Sequence, residues 1–215
     1  SFAHLLPYFK RQETWEGGAS SHRGGDGPLR TKLATYDDPI VAAYMEAGRA
    51  AGYPATDDYN GPQQEGFAVL QSTIHEGLRV SAADAYLKPA LGRSNLTVVT
   101  DALATRVQFE GRRANGIVYE HRGETRTAHA AREVVLSGGV INSPQLLMLS
   151  GIGDPDHLRS LGIAVKVPLL GVGRNLQDDL SVGLEYQRAS PGPFVRNMRI
   201  DRLAGHLIRA RWFGG

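Results

Sequence analysis

The chain has 215 residues, 41% of them apolar and 21% charged, the balance of a globular protein and not of a disordered one. A formal charge of +2 is too small to point to nucleic acid, and the absence of cysteine excludes disulfides, thiolate catalysis and Cys-ligated metal centres. No apolar run approaches the ~20 residues of a membrane span. The start Ser1-Phe2-Ala3-His4 is neither a signal peptide nor an initiator methionine, so the chain is expected to begin within a longer protein.

The apolar spacing of Phe2, Leu5, Leu6 and Phe9 predicts a helix over 2–12. A Gly/Ser-rich loop over 16–28 follows, then a short alternating strand from Leu29 to Leu33. Asp38-Pro39 opens a helix, with Asp as cap and Pro in the first turn, that stops near Gly52. Residues 53–66 read as a loop, Phe67 to Thr73 as a strand, and Ser81 as the cap of a helix ending at Gly92. Five strands are predicted next, at 96–100, 105–109, 116–120, 124–129 and 133–136, with hairpin turns at Glu110-Gly111 and His121-Arg122-Gly123. Helices from Pro144 to Ser150 and Pro155 to Leu161 each have a cap before Pro and a Gly beyond. A strand at 165–169, a Gly171-Val172-Gly173 turn, a strand over 180–187 and a basic amphipathic helix over 194–213 complete the chain.

Chemistry-bearing motifs are mostly absent. Gly151-x-Gly153 and Gly171-x-Gly173 lack the third Gly of a dinucleotide fingerprint, and helix stop and turn explain both. The seven histidines show no metal spacing, and no metal site is expected. The pairs Asp37-Asp38, Asp57-Asp58 and Asp178-Asp179 place adjacent acids on opposite faces of an extended backbone, which favours cap and loop roles over paired catalysis. Arg196, Arg199, Arg202, Arg209 and Arg211 against Asp201 make the last helix basic, a face suited to solvent before membrane or polyanion.

The most informative stretch is Val134-Val135-Leu136-Ser137-Gly138-Gly139 through Asn142-Ser143-Pro144 to Ser150-Gly151-Ile152-Gly153. It reads as strand, tight turn and helix, the unit with which open α/β sheets bring backbone against a phosphate or cofactor. This run closely resembles the second signature of the glucose-methanol-choline (GMC) family of flavin oxidoreductases. Other strings resemble the same family in the same order: Leu5-Leu6-Pro7-Tyr8-Phe9-Lys10, His22-Arg23-Gly24-Gly25-Asp26-Gly27-Pro28-Leu29, and Gly77-Leu78-Arg79-Val80-Ser81 with Ala85-Tyr86-Leu87. Asn95-Leu96-Thr97-Val98 through Arg106-Val107 and Gly171-Val172-Gly173-Arg174-Asn175-Leu176-Gln177-Asp178 continue the series. Ala51-Gly52-Tyr53-Pro54, Asp57 to Gly61 and Gln64-Glu65-Gly66-Phe67 resemble its choline-dehydrogenase-like branch. Asp179 stands where the family usually has His.

The resemblance implies an α/β fold: an incomplete, Rossmann-like FAD-binding domain with part of the substrate-binding domain. It places residues 1–66 in covering loops and part of the substrate domain, 67–175 in the central part of the FAD domain, and 176–215 at the start of a second substrate-domain segment. It implies FAD as cofactor, with Val107 at the adenine edge, Gly138 and Gly139 at the close turn, and Ser143 and Pro144 setting the helix start. The activity implied for the parent protein is oxidation of a small-molecule alcohol with hydride transfer to flavin. The phosphate loop and catalytic histidine of the family match nothing in these residues, so no catalytic residue is assigned. The electron acceptor stays open, and so does the oligomeric state. A cytoplasmic location is expected, with membrane-peripheral attachment left open for the full-length protein. Two alternatives stand beside this reading: a partial or decayed domain that holds no flavin alone, and another nucleotide-binding α/β enzyme.

Overall fold

The computed structural model describes all residues except Tyr36, Asp37, Tyr186, Arg188, Ser190, Pro191, Gly214 and Gly215. Two compact units form, one from 1–97 with 185–215 and the other from 98–184.

In the first unit, α1 (Phe2–Gln12) runs directly into β1 (Glu13–Trp15), as its apolar spacing predicts. β1 lies parallel to β2 (Leu29–Leu33), so the Gly-rich loop between them is a crossover instead of a hairpin. Gly24 and Gly27 press that loop onto the α1–β1 junction, with Trp15 N–H donating to the Gly24 carbonyl and Gly27 N–H to the Glu13 carbonyl. The helix α2 (Pro39–Ala50) starts as expected, with the Asp38 carboxylate accepting from the Ile40 amide at 3.1 Å. The rings of Tyr44 and Tyr53 pack on Phe67, with centroids at 5.1 and 5.7 Å.

The strand expected over 67–73 shrinks to β3 (Gln71–Ser72), antiparallel to β2, plus a single bridge from Phe67 to Ala55. Phe67 is spent on packing under α2 instead of on a ladder. A tight hairpin of β4 (Ile74–His75) and β5 (Leu78–Arg79) follows. Ser81 caps the next helix reciprocally: Asp84 N–H donates to its hydroxyl, and its own N–H donates to the Asp84 carboxylate. That helix is a wide π-turn (Ala83–Leu87) running into the short α3 (Lys88–Ala90).

The second unit is built on an antiparallel meander of β6 (Ala102–Glu110), β7 (Arg113–His121) and β8 (Glu124–His129). Both hairpin turns fall where the sequence places them, and Arg122 and Gly123 both have positive φ, as a two-residue turn between right-twisted strands requires. Two irregularities of register, between Ala104 and Arg106 and between Gln108 and Phe109, bend β6. The strand expected at 96–100 is irregular chain. So are residues 133–136, which join no ladder even though Val134, Val135 and Leu136 favour extended structure. A strand needs a neighbouring backbone to complete it, and none of the described strands lies alongside.

Next comes α4 (Gly139–Leu149), which packs on β6. It begins five residues before the Pro144 start expected from Asn142-Ser143-Pro144, so Pro144 sits inside it. Then β9 (Ile152–Gly153) pairs in parallel with β10 (Val167–Pro168), a crossover that encloses α5 (Pro155–Ser160). The fully buried Leu158 of α5 anchors this crossover. The turn at Gly171-Val172-Gly173 is present. No strand forms over 180–185 or at 187, and Tyr186 lies outside the described residues.

The basic helix expected over 194–213 is two helices, α6 (Pro193–Asn197) and α7 (Ile200–Phe213). They divide after Asn197, a residue whose side chain competes for backbone hydrogen bonds and favours helix ends.

Candidate functional site

In the second unit a cavity of about 430 Å³ opens between the meander and the start of α4. Its walls are apolar: Leu103, Ala104 and Ile117 from β6 and β7, Val134 to Leu136 opposite, and Leu146 and Leu149 from α4. Gly138, Asn142 and Ser143 form the polar edge.

The turn explains why two glycines stand here. Gly139 has φ of +84°, a left-handed conformation that a side chain makes costly, although open space surrounds the position where a Cβ would project. Gly138 is constrained by space instead, since a Cβ would come within 3.2 Å of the Asn142 side chain. The Gly138 amide donates to the Ser143 hydroxyl at 3.0 Å. That bond ties the turn to the second turn of the helix and gives Ser143 a role other than starting it. Gly138, on this edge, is also the N-cap of α4, where the first N–H groups have no intrahelical partner and the dipole is positive.

Val107, expected at a cofactor edge, is 3% exposed and does not line the cavity. Its N–H donates to the Ser150 hydroxyl at 2.8 Å, and Ser150 in turn donates to the Leu146 carbonyl at 2.6 Å. The residues of β6 that face the cavity are Leu103 and Ala104. Ser150 went unrecognised in the sequence. Its one signal is a polar residue at the close of the apolar turn Leu146 to Leu149.

A second polar centre lies in the first unit, beside a cavity of about 570 Å³ lined by Phe2, Phe9, His22 and Tyr59 among others. Arg23, 4% exposed, donates to Glu13 at 2.8 Å, to Asp58 at 3.0 Å and to Gln71 at 2.9 Å, and lies over the Trp15 ring at 4.1 Å. Glu13 also accepts from Thr31 and from the Gly24 amide, and Asp58 from Gln71 and the Asn60 amide. Asp58 therefore serves as a loop-organising acid, as its pairing with Asp57 suggests. These partners are all internal, so the cluster joins segments distant in sequence around one guanidinium.

Among the described residues, two carboxylates are held below the ordinary range. For Asp84 the main cause is the Lys88 ammonium, then the Ser81 hydroxyl. For Asp154 it is the Asp156 amide, then the Arg174 guanidinium and the His157 amide. Asp154 caps α5 and ties it to Arg174 just beyond the Gly171–Gly173 turn, at 2.6 Å. Asp179, in the place of the family's histidine, is exposed, and its amide donates to Asp178. Among the described residues no cluster of His, Cys, Asp or Glu could hold a metal ion, and no helix is long and apolar enough to cross a membrane.

The second unit thus sets a meander, a glycine turn and a helix around an apolar cavity, a mixed helix and strand arrangement. The GMC oxidoreductase family model matches residues 1–181, and the chain belongs to that family. It is 53% identical to mitochondrial choline dehydrogenase of Homo sapiens over 190 residues, covering 88% of this chain and 32% of that protein. It is 45% identical to oxygen-dependent choline dehydrogenase of Staphylococcus xylosus over 216 residues, covering 100% of this chain and 38% of that protein. Among solved structures, pyridoxine 4-oxidase from Mesorbium loti superposes with a TM-score of 0.73 at 32% identity, over 78% of this chain and 33% of that one. An FAD-dependent oxidoreductase from Chaetomium thermophilum gives 0.74 at 27% identity, over 80% and 32%. The chain thus spans about a third of the length of the proteins it matches.

Proposed function

We propose that the full-length protein carrying this chain is an FAD-dependent oxidoreductase that oxidises the CH–OH group of a small alcohol, with choline as the first substrate to test. The match to the family over residues 1–181, with choline dehydrogenases at 45–53% identity, carries this reading. FAD supplies the hydride acceptor when bound.

The residues present fit part of such a cofactor. The cavity beside α4 combines an apolar slot for a planar ring with a helix N-terminus that favours an anionic group. Gly138 and Gly139 leave the turn without side chains where a cofactor would approach, and Val107 holds β6 against α4 through Ser150. Residues 67–175 form the central part of the flavin domain in this reading, and 1–66 with 176–215 belong to the substrate side. No residue of this chain is assigned to proton transfer. Purified full-length protein is expected to show flavin absorbance that bleaches anaerobically with choline or another primary alcohol. A colourless, folded protein unresponsive to alcohols would defeat the proposal.

A second reading concerns the 215 residues in isolation: they hold no flavin. The lack of a ladder for Val134 to Leu136 favours it, because one wall of the cavity is then unsupported. Titration of FAD into the isolated chain tests this, and stoichiometric tight binding would refute it.

A further inference from the structure

Ser143 carries a helix hydroxyl whose hydrogen the fold leaves unused. The Ser150 hydroxyl donates to the Leu146 carbonyl four residues back at 2.6 Å, and that of Ser160 to the His157 carbonyl three back at 2.8 Å. Ser143 makes no such bond. Among the described residues its single hydrogen bond is the one it accepts from the Gly138 amide at 3.0 Å. A serine hydroxyl that accepts one bond still has an O–H to give, and accepting an amide proton polarises it into a stronger donor. Ser143 is half-buried and lines the cavity beside α4. Along that cavity α4 presents Asn142, Gln145, Leu146 and Leu149, spaced as one helical stripe. Its polar members stand toward Gly138, and its apolar members follow over about 10 Å of helix axis. Among the described residues no charged side chain lines this cavity.

This gradient orients a ligand, and the unused donor selects what stands at its polar end. A wholly apolar ligand would displace water and leave the Ser143 hydrogen without an acceptor. A ligand with an oxygen at one end of an apolar, planar body satisfies both parts of the cavity. We propose that Ser143 is a direct cofactor contact, its hydroxyl donating to an oxygen of the bound flavin nucleotide while the Gly138 amide holds that hydroxyl in place. The proposal rests on the flavin reading above and adds to it a side chain by which this chain recognises the polar end of the cofactor.

The test is the FAD affinity of the full-length protein, stripped of flavin and titrated back by fluorescence quenching. Ser143→Thr keeps both donor and acceptor and should bind within about twofold of the parent, whereas Ser143→Ala should bind about tenfold more weakly, as for one lost hydrogen bond. Ser143→Asp separates contact from scaffold. Its carboxylate can still accept from the Gly138 amide but has no hydrogen to give at neutral pH. It should therefore bind FAD more weakly than Ser143→Ala, while its flavin-free form melts no lower than that of Ser143→Ala. Ser160→Ala, which removes a helix hydroxyl already donating to His157, should leave the affinity unchanged. Parent-like affinity in Ser143→Ala, an equal loss in Ser143→Thr, or tighter binding by Ser143→Asp than by Ser143→Ala would each overturn the inference and leave the flavin reading standing. A parent protein that takes up no FAD would instead overturn that reading, and this inference with it.

Discussion

The Val107 amide donates to the Ser150 hydroxyl across 43 residues of sequence, at 2.8 Å and with both residues almost fully buried. The same hydroxyl donates to the Leu146 carbonyl, so one side chain closes the last turn of α4 and satisfies an outward-facing amide of β6. Replacing Ser150→Ala removes both bonds and leaves a buried N–H without a partner, which costs about 1–3 kcal/mol. Urea denaturation should show that loss, and amide exchange at Val107 should accelerate more than at Val118 in the neighbouring strand. Unchanged exchange at Val107 would refute the role given to Ser150.

Arg23 joins Glu13, Asp58 and Gln71, three segments far apart in sequence, around one guanidinium. Truncation by Arg23→Ala strands two carboxylates that are themselves largely shielded, with side chains 16% and 25% exposed. Breaking a buried ion pair from one side costs about 3–5 kcal/mol, far above the 0–1 kcal/mol of a surface pair. By contrast, Lys32→Ala, which breaks the looser 3.5 Å pair with Glu16, should lie within ~0.5 kcal/mol of the parent. Denaturation of the two variants side by side decides the matter, and similar midpoints would defeat the assignment.

These two centres were differently legible in the sequence. Helix α2 and the turn at Arg122-Gly123 announce themselves because caps and turns are local, settled by residues one to four positions apart. The family resemblance likewise rests on local strings and located the glycine turn beside the cavity. Arg23 could not be read this way, since its partners lie 10, 35 and 48 residues away. Val134 to Leu136 have strand composition without a strand, because pairing depends on a neighbour that local propensity cannot supply. Pro144 misplaced the start of α4 because the left-handed Gly139 and the Gly138–Ser143 bond set the boundary earlier.

Two glycines separate conformational cost from steric cost. At Gly139 no atom lies within 4 Å of the Cβ position, so Gly139→Ala pays only for its left-handed backbone, about 1–2 kcal/mol. Gly139→Asn should recover part of that loss, because Asn tolerates this region. At Gly24 the Cβ would stand 2.0 Å from the Lys10 carbonyl oxygen and 2.4 Å from that of Glu13, contacts that only backbone movement relieves. Gly24→Ala and Gly24→Asn should therefore be equally damaging and exceed the Gly139 loss. Recovery by Asn at position 24 would show that conformation, and not space, governs that site.

Acid should loosen the α5 crossover through Asp154. Its carboxylate is held below the ordinary value by the Asp156 amide and the Arg174 guanidinium, so the folded state binds this proton less readily than the unfolded chain. Linkage fixes the sign. The stabilisation is fully present above the unfolded value near 4 and is lost as pH falls toward the depressed folded value. Asp84, depressed through Lys88 and Ser81, contributes with the same sign at the start of its helix. Replacing Asp154→Asn keeps an acceptor for the Asp156 amide but removes the charge facing Arg174. This variant should melt lower than the parent at pH 7, with the gap closing as pH approaches 3. Arg174→Gln should reproduce a smaller part of the effect, since it spares both amide bonds. A gap that stays constant from pH 7 to pH 3 would mean that Asp154 acts by shape and not by charge.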